Sequence, residues 1–168
     1  MKNILFAAVL FATVFGRSSF AQTDSSSVLK NFLASYLKLK NALTIDDGNS
    51  ARIAARQLFD AVDEMTADSF SSSQQAVWSQ FHEKLMSEAA QIRNADDIQG
   101  QREHFKNLSA DMYQFLKAVG INSVELYYDY CPMAKAYWLS ETPSISNPYL
   151  GQMMPTCGSV KDTLTVNE

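Results

Sequence analysis

The two cysteines of the chain lie in short sulfur-rich segments near its C-terminus. Cys131 and Met133 belong to the segment C-P-M, and Met154 and Cys157 belong to M-M-P-T-C. Thiolate and thioether sulfurs are soft donors, which select Cu(I) or similar ions over magnesium and calcium. These four sulfur residues and Met153 are therefore candidate ligands for a soft metal ion.

A disulfide is the main alternative for the same cysteines. In an oxidising compartment two cysteines usually pair, and a bridge between Cys131 and Cys157 would stabilise the fold by about 3 to 4 kcal/mol. Methionine also fills gaps in protein cores more often than it binds metals. A nucleophilic Cys131 with a histidine base is a remote third interpretation, because no catalytic motif surrounds it. Composition alone leaves these alternatives open.

Four segments repeat apolar residues at the helical spacing of three and four positions, and they must position the sulfur residues. They predict helices over about 26–45, 50–66, 72–93 and 96–119. Gly120 is expected to end the fourth helix. Short connections between helices of this length favour an antiparallel four-helix bundle, so the expected fold class is all-α or mainly α.

The region after Gly120 has a different composition, because the helical periodicity stops and the segment is rich in Tyr, Trp, Pro and Gly. We expect an irregular C-terminal lid over 121–168, in which 124–130 and 136–139 are candidates for the strands of a short β-hairpin. Pro132 cannot donate to a sheet ladder. It should therefore end the first strand and present Cys131 on a bend.

Histidines are the other candidate ligands. His82 and His104 each lie roughly 60° from the centre of the apolar stripe on their helix. A single histidine in that position is usually half-buried and bonded to a carboxylate or to the backbone. Two histidines on adjacent helices can instead face each other across a bundle, so both interpretations remain open here.

Composition excludes several classes of protein. The 168 residues are 46% hydrophobic and 19% charged, as in a single globular domain, and the net charge of −4 offers no basic surface for nucleic acid. The sequence contains no G-x-S-x-G, no H-E-x-x-H and no glycine-rich phosphate loop. We therefore expect a binding protein, not an enzyme.

The N-terminus is typical of a secretory signal. Lys2 precedes an apolar run, and Ser19-Phe20-Ala21 provides small residues where a signal peptidase cuts. We expect 1–21 to be removed and 22–168 to form one exported domain. No later segment approaches the ~20 apolar residues that a membrane span requires, so membrane insertion after cleavage is not expected.

Several motifs resemble one known family. L-Y-Y-D-Y-C-P-M-A, A-Y-W-L-S, I-S-N-P-Y-L-G and M-M-P-T-C-G-S-V occur in this order, preceded by S-Y-L-K-L-K-N-A-L and Q-R-E-H-F-K-N-L-S. They are similar to domain-of-unknown-function family 3347, which occurs in exported proteins of Gram-negative bacteria and fused to periplasmic adaptor subunits of heavy-metal efflux systems.

The resemblance implies a periplasmic helical domain that handles copper or silver. Cys131, Met133, Met154 and Cys157 match the sulfur positions of the family pattern, and His104 matches its R-E-H-F histidine. The implied partners are a metal ion, with Cu(I) as the expected cofactor, and an efflux adaptor or another envelope protein. This chain departs from the pattern in a shorter segment after C-P-M-A and in Pro155, which stands where an aliphatic residue is expected.

Overall fold

The computed structural model describes residues 25–166, and the predicted signal segment 1–21 lies outside them. The chain is mainly helical, as predicted. The helices are α1 (Ser25–Thr44), α2 (Gly48–Glu64), α3 (Ser72–Asn94) and α4 (Ile98–Val119), and the strands are β1 (Leu126–Cys131), β2 (Ala136–Ser140) and β3 (Ser159–Leu164). Within these residues, no helix combines the length and apolar character that crossing a membrane would need.

Local side-chain chemistry sets the helix ends close to the predicted positions. Asp47 caps α2 by accepting a hydrogen bond from the Ser50 N–H at 2.9 Å. Asp97 caps α4 through the Gly100 N–H at 2.8 Å. Gly120 adopts a left-handed conformation and ends α4, as expected. Each cap satisfies backbone groups that a helix terminus leaves unpaired.

The apolar stripes meet in one core, because α1 packs against α2, α2 against α3 and α3 against α4. Of the six Phe and Trp residues on α1–α4, five are buried and Phe59 is half-buried. Its ring is half-buried and lies under the Arg93 guanidinium, 5.1 Å from the ring centroid. The five buried residues are Phe32, Trp78, Phe81, Phe105 and Phe115.

The lid is more regular than predicted, since it contains a three-stranded antiparallel sheet in the order β2-β1-β3. β1 and β2 are the predicted hairpin. β3 was missed because its sequence, S-V-K-D-T-L, is mostly polar and its first three residues are exposed. It is an edge strand, held by backbone pairing with β1 more than by buried side chains.

Tyr36 on α1 fixes the sheet to the helices. Its side chain is fully buried, and its hydroxyl lies 2.8 Å from the Ser109 Oγ on α4. The same hydroxyl accepts the Leu139 N–H of β2 at 3.0 Å. One phenol therefore joins two helices and a strand, and burial raises its pKa far above the ordinary value of 10.0.

Asp129, in the central strand, is a buried carboxyl group. It is 0% exposed, and neither of its oxygens has a hydrogen-bond partner among residues 25–166. Burial raises its pKa from 3.8 to about 7, against the opposing effect of the Lys40 ammonium group. Lys40 itself is directed to Glu141, at 2.9 Å. Asp129 is thus more easily protonated than an ordinary aspartate.

Replacing Tyr36 with Phe should lower the free energy of unfolding by about 1 to 3 kcal/mol, because Ser109 and the Leu139 N–H lose a buried partner. Tyr127→Phe is the matched control, since the Tyr127 hydroxyl bonds only to the exposed Glu125 carboxylate. That control should change stability by less than about 0.5 kcal/mol. Urea unfolding of the three proteins measures both effects. Equal losses in the two variants would contradict the role of Tyr36.

Asp129 should make stability fall as the pH rises from about 4 to about 7. Its pKa is raised in the folded state, so the stabilisation is complete below the unfolded pKa and is lost as pH passes the folded pKa. Asp129→Asn removes this dependence. The free energy of unfolding of the variant, relative to the parent, should be about 2 to 4 kcal/mol higher at pH 8 than at pH 4. Denaturant titrations at both pH values would show no such difference if Asp129 titrates normally.

Candidate functional site

Cys131 is the last residue of β1, at the point where Pro132 ends the strand as predicted. The chain reverses through a tight turn, in which Lys135 has a φ of 49°, and enters β2 at Ala136. The Cys131 side chain is fully buried. A rigid strand thus positions this sulfur, and the turn that follows it brings backbone N–H groups nearby.

Cys157 reaches the same place from the lid loop (141–158), which connects β2 to β3. Asn147 organises this loop from inside and is fully buried. Its side-chain oxygen accepts the N–H groups of Tyr149 and Leu150 at 2.8 and 3.0 Å, and its side-chain nitrogen donates to the Cys157 carbonyl at 2.6 Å. Its backbone N–H donates to the Pro155 carbonyl at 2.9 Å. One asparagine therefore holds both ends of the segment that carries Cys157.

Gly158 follows Cys157 because the backbone passes too close to the sheet for any side chain. Its φ is 150°, and an added Cβ would lie 2.8 Å from the Trp138 ring and 3.1 Å from the Tyr130 carbonyl oxygen. Only glycine adopts this conformation without strain. Glycine is therefore required after Cys157, because the backbone at Gly158 must pass close to β1 and β2.

The structure brings the two cysteine sulfurs together. The Cys131 and Cys157 Sγ atoms are 2.9 Å apart although the residues are separated by 26 positions. No bond joins the two sulfurs in the structure, because a disulfide would require about 2.05 Å. We call Cys131 and Cys157 the sulfur pair. Their convergence is what both the metal and the disulfide hypotheses require.

The two thiols of the sulfur pair are electrostatically unequal. Burial raises the pKa of Cys131, but hydrogen bonds from the Cys157 thiol and the Ala134 N–H, the latter at 3.4 Å, lower it more. Asn147 and the Met133 N–H add to this effect, so the pKa lies below the usual 9.0. The pKa of Cys157 is raised, because its proton is held by the hydrogen bond to Cys131. Cys131 is therefore the sulfur that ionises first.

The two candidate methionines flank the sulfur pair in sequence but carry exposed side chains. Met133 is 65% exposed and Met154 is 38% exposed. The Met154 carbonyl accepts the Cys157 N–H at 3.2 Å, so its backbone belongs to the turn that ends at Cys157. Each thioether sits on an unbranched chain with three rotatable bonds. Both thioethers are therefore exposed at the surface of the lid, whereas Cys131 is buried.

His104 lies on α4 and is engaged elsewhere. Its Nδ1 is 2.9 Å from the Glu88 Oε2 on α3, and its side chain is 37% exposed. Over residues 25–166, no three His, Cys, Asp or Glu side chains are grouped as metal ligands would be. The structure thus brings together the two cysteines and leaves His104 in a helix-to-helix contact.

Two residues near the sulfur pair were not identified as important from sequence. Asn147 entered only as part of the I-S-N-P-Y-L-G motif, although its side-chain amide makes three hydrogen bonds and its backbone N–H makes a fourth. Asp129 lies on the same face of β1 as Cys131, two positions earlier. The strand alternation could have revealed it as an acidic residue among buried positions.

Comparison with known proteins identifies the family through the helical part of the chain. No curated protein and no solved structure matches it. The model of the family described as "Protein of unknown function (DUF3347)" matches residues 32–124, which is more than half of the chain. The matched stretch includes His104 and ends before β1, so the sulfur pair lies beyond it. The chain is a member of the DUF3347 family.

Proposed function

We propose that this protein binds a soft metal ion, Cu(I), through the sulfur pair. The observation that carries the proposal is the 2.9 Å separation of two free thiols from distant parts of the chain. Cysteine binds metals as thiolate, and thiolates favour Cu(I) over hard cations. The lowered pKa of Cys131 supports the same chemistry, because less free energy is spent on removing its proton.

The donor set fits a thiophilic ion better than any other. Cys131 is buried and receives N–H groups, so its negative charge is stabilised without a second cation nearby. Met133 and Met154 are the proposed further donors, since they are exposed thioethers adjacent in sequence to the two cysteines. The proposal does not require His104, which is bonded to Glu88.

The proposed setting is the periplasm, and the proposed role is binding rather than catalysis. Support comes from the signal-like residues at the N-terminus and from the resemblance of the motifs to a family whose expected members include domains fused to metal-efflux adaptors. The partner in this setting is an efflux adaptor or another envelope protein. We also infer that the four helices form an antiparallel bundle, which the packing of each helix on the next supports.

A disulfide-stapled interaction module is the second candidate function. The same sulfur separation supports it, because a small movement would allow the bond to form. Thiol titration of native protein purified without oxygen separates the two candidates. Two free thiols favour the metal site, and none favours the staple.

Cys131→Ser should abolish Cu(I) binding while leaving the helix content unchanged, because no helix depends on this sulfur. Binding is measured on reduced protein without oxygen, by competition with a chromophoric Cu(I) chelator, and helix content by circular dichroism. His104→Gln is the control and should bind as the parent does. Unchanged Cu(I) affinity in Cys131→Ser would refute the proposed site.

Met133→Leu should weaken Cu(I) binding by less than Cys131→Ser does, since a thioether is a neutral and weaker ligand than a thiolate. Met153→Leu is a matched control, because Met153 is an equally simple thioether in the lid loop and is 77% exposed. The same chelator competition should give the parent affinity for Met153→Leu. If both leucine variants retain that affinity, the metal is held without Met133.

A further inference from the structure

The two thiols of the sulfur pair differ in their access to solvent. Cys131 is 0% exposed, whereas Cys157 is partly exposed in the lid loop. Thiol–disulfide exchange requires a thiolate to approach a sulfur atom along the line of the bond that breaks, so access decides which sulfur reacts. An external thiol can therefore reach Cys157 and cannot reach Cys131.

The two sulfurs also differ in how well each would leave. A departing sulfur carries the electron pair of the broken bond, and it leaves faster when that charge is stabilised. The Ala134 N–H already points at the Cys131 Sγ, at 3.4 Å. This hydrogen bond stabilises the charge on Cys131 and makes it the better leaving group, whereas Cys157 has the better access.

The geometry points to a thiol–disulfide exchange site, in which Cys157 exchanges with a thiol-bearing partner and Cys131 is the leaving and resolving sulfur. Formation of the Cys131–Cys157 bond would also release the metal, because a disulfide has no thiolate to donate. This metal-release part rests on the proposed Cu(I) function. The exchange part depends only on the sulfur pair.

Each step of the exchange is balanced in atoms and electrons. In reduction, a thiolate of the partner attacks the Cys157 Sγ, the sulfur–sulfur bond breaks, and Cys131 leaves with the electron pair. A second partner thiol loses its proton and attacks the mixed disulfide, forming a partner disulfide and releasing Cys157 as thiolate, which takes up that proton. Oxidation is the reverse, with a low-molecular-weight or protein disulfide as the oxidant, reduced by two electrons.

The bond could form with little movement of the backbone. The sulfurs must close from 2.9 Å to about 2.05 Å, which is less than 1 Å. The hydrogen bonds by which Asn147 positions the loop are made to backbone groups. They can therefore persist in both the dithiol and the disulfide states.

Single-cysteine variants test which sulfur exchanges. Cys131→Ser and Cys157→Ser, each in the otherwise full chain, are incubated with glutathione disulfide, and the mixed disulfide is followed by mass spectrometry of the intact protein. The retained Cys157 should react at least tenfold faster than the retained Cys131. Circular dichroism checks that both variants fold. Equal rates, or a faster Cys131, would overturn the assignment.

The parent protein tests the coupling to the metal. It is equilibrated in glutathione buffers of increasing oxidation, the fraction of disulfide is counted by thiol alkylation, and Cu(I) affinity is then measured on the fully reduced and fully oxidised forms. We expect reversible disulfide formation and at least a hundredfold loss of Cu(I) affinity on oxidation. A reduced pair that binds Cu(I) but never forms the bond would refute the exchange inference alone.

The two proposals fail in different ways. If the reduced protein does not bind Cu(I) but the disulfide forms reversibly and Cys157 exchanges first, the proposed metal function is wrong and the exchange site stands. If the oxidised protein keeps the Cu(I) affinity of the reduced protein, the metal-release part is wrong.

Discussion

The position of the sulfur pair depends on a buried hydroxyl group. A sheet of three short strands has too little core to be stable alone, so it must be attached to the helices. Tyr36 makes that attachment by joining Ser109 on α4 to the Leu139 N–H of β2. β2 pairs with β1 as far as Cys131. The hydroxyl of Tyr36 therefore indirectly fixes the position of the Cys131 sulfur relative to the helices. The helices therefore position the two cysteines although neither cysteine lies on a helix.

The lid loop needs a second attachment, and a buried guanidinium group provides it. Arg102 on α4 donates to the Leu43 carbonyl and the Pro148 carbonyl at 2.9 and 2.8 Å, and it pairs with Asp46. A buried cation is stable only when its donors are satisfied, so these contacts fix the middle of the loop at Pro148. Asn147, next to Pro148, then organises the remaining turn as far as Cys157. Cys157 is consequently held like a residue of a strand although it lies in a loop.

The sequence predicted those features of the fold that depend on residues close together along the chain. Apolar periodicity located the four helices within a few residues. Pro132 predicted that the first strand ends before it, but Cys131 belongs to β1 and pairs with Ala136 instead of lying on a bend. The convergence of Cys131 and Cys157 followed from sulfur chemistry under both hypotheses. The roles of Arg102 and Asn147 could not be derived, because each depends on carbonyl groups that only the folded chain brings within reach. β3 was missed for a related reason, since an edge strand pairs through its backbone and needs no apolar alternation.

The anchors of the site and its chemistry involve largely different atoms. The contacts of Tyr36 and Arg102 use hydroxyl, guanidinium and carbonyl groups and involve neither sulfur of the pair, and Asn147 positions the loop through hydrogen bonds to backbone groups. The fold can therefore hold the two cysteines together without consuming the lone pairs that a metal needs or the electrons that a disulfide uses. Each sulfur can share electrons with a soft cation or with the other sulfur, and the two bonding patterns exclude each other. In the proposed function, the scaffold fixes the distance between the sulfurs and leaves their bonding open, so that the thiols and metal ions around the protein decide which state forms.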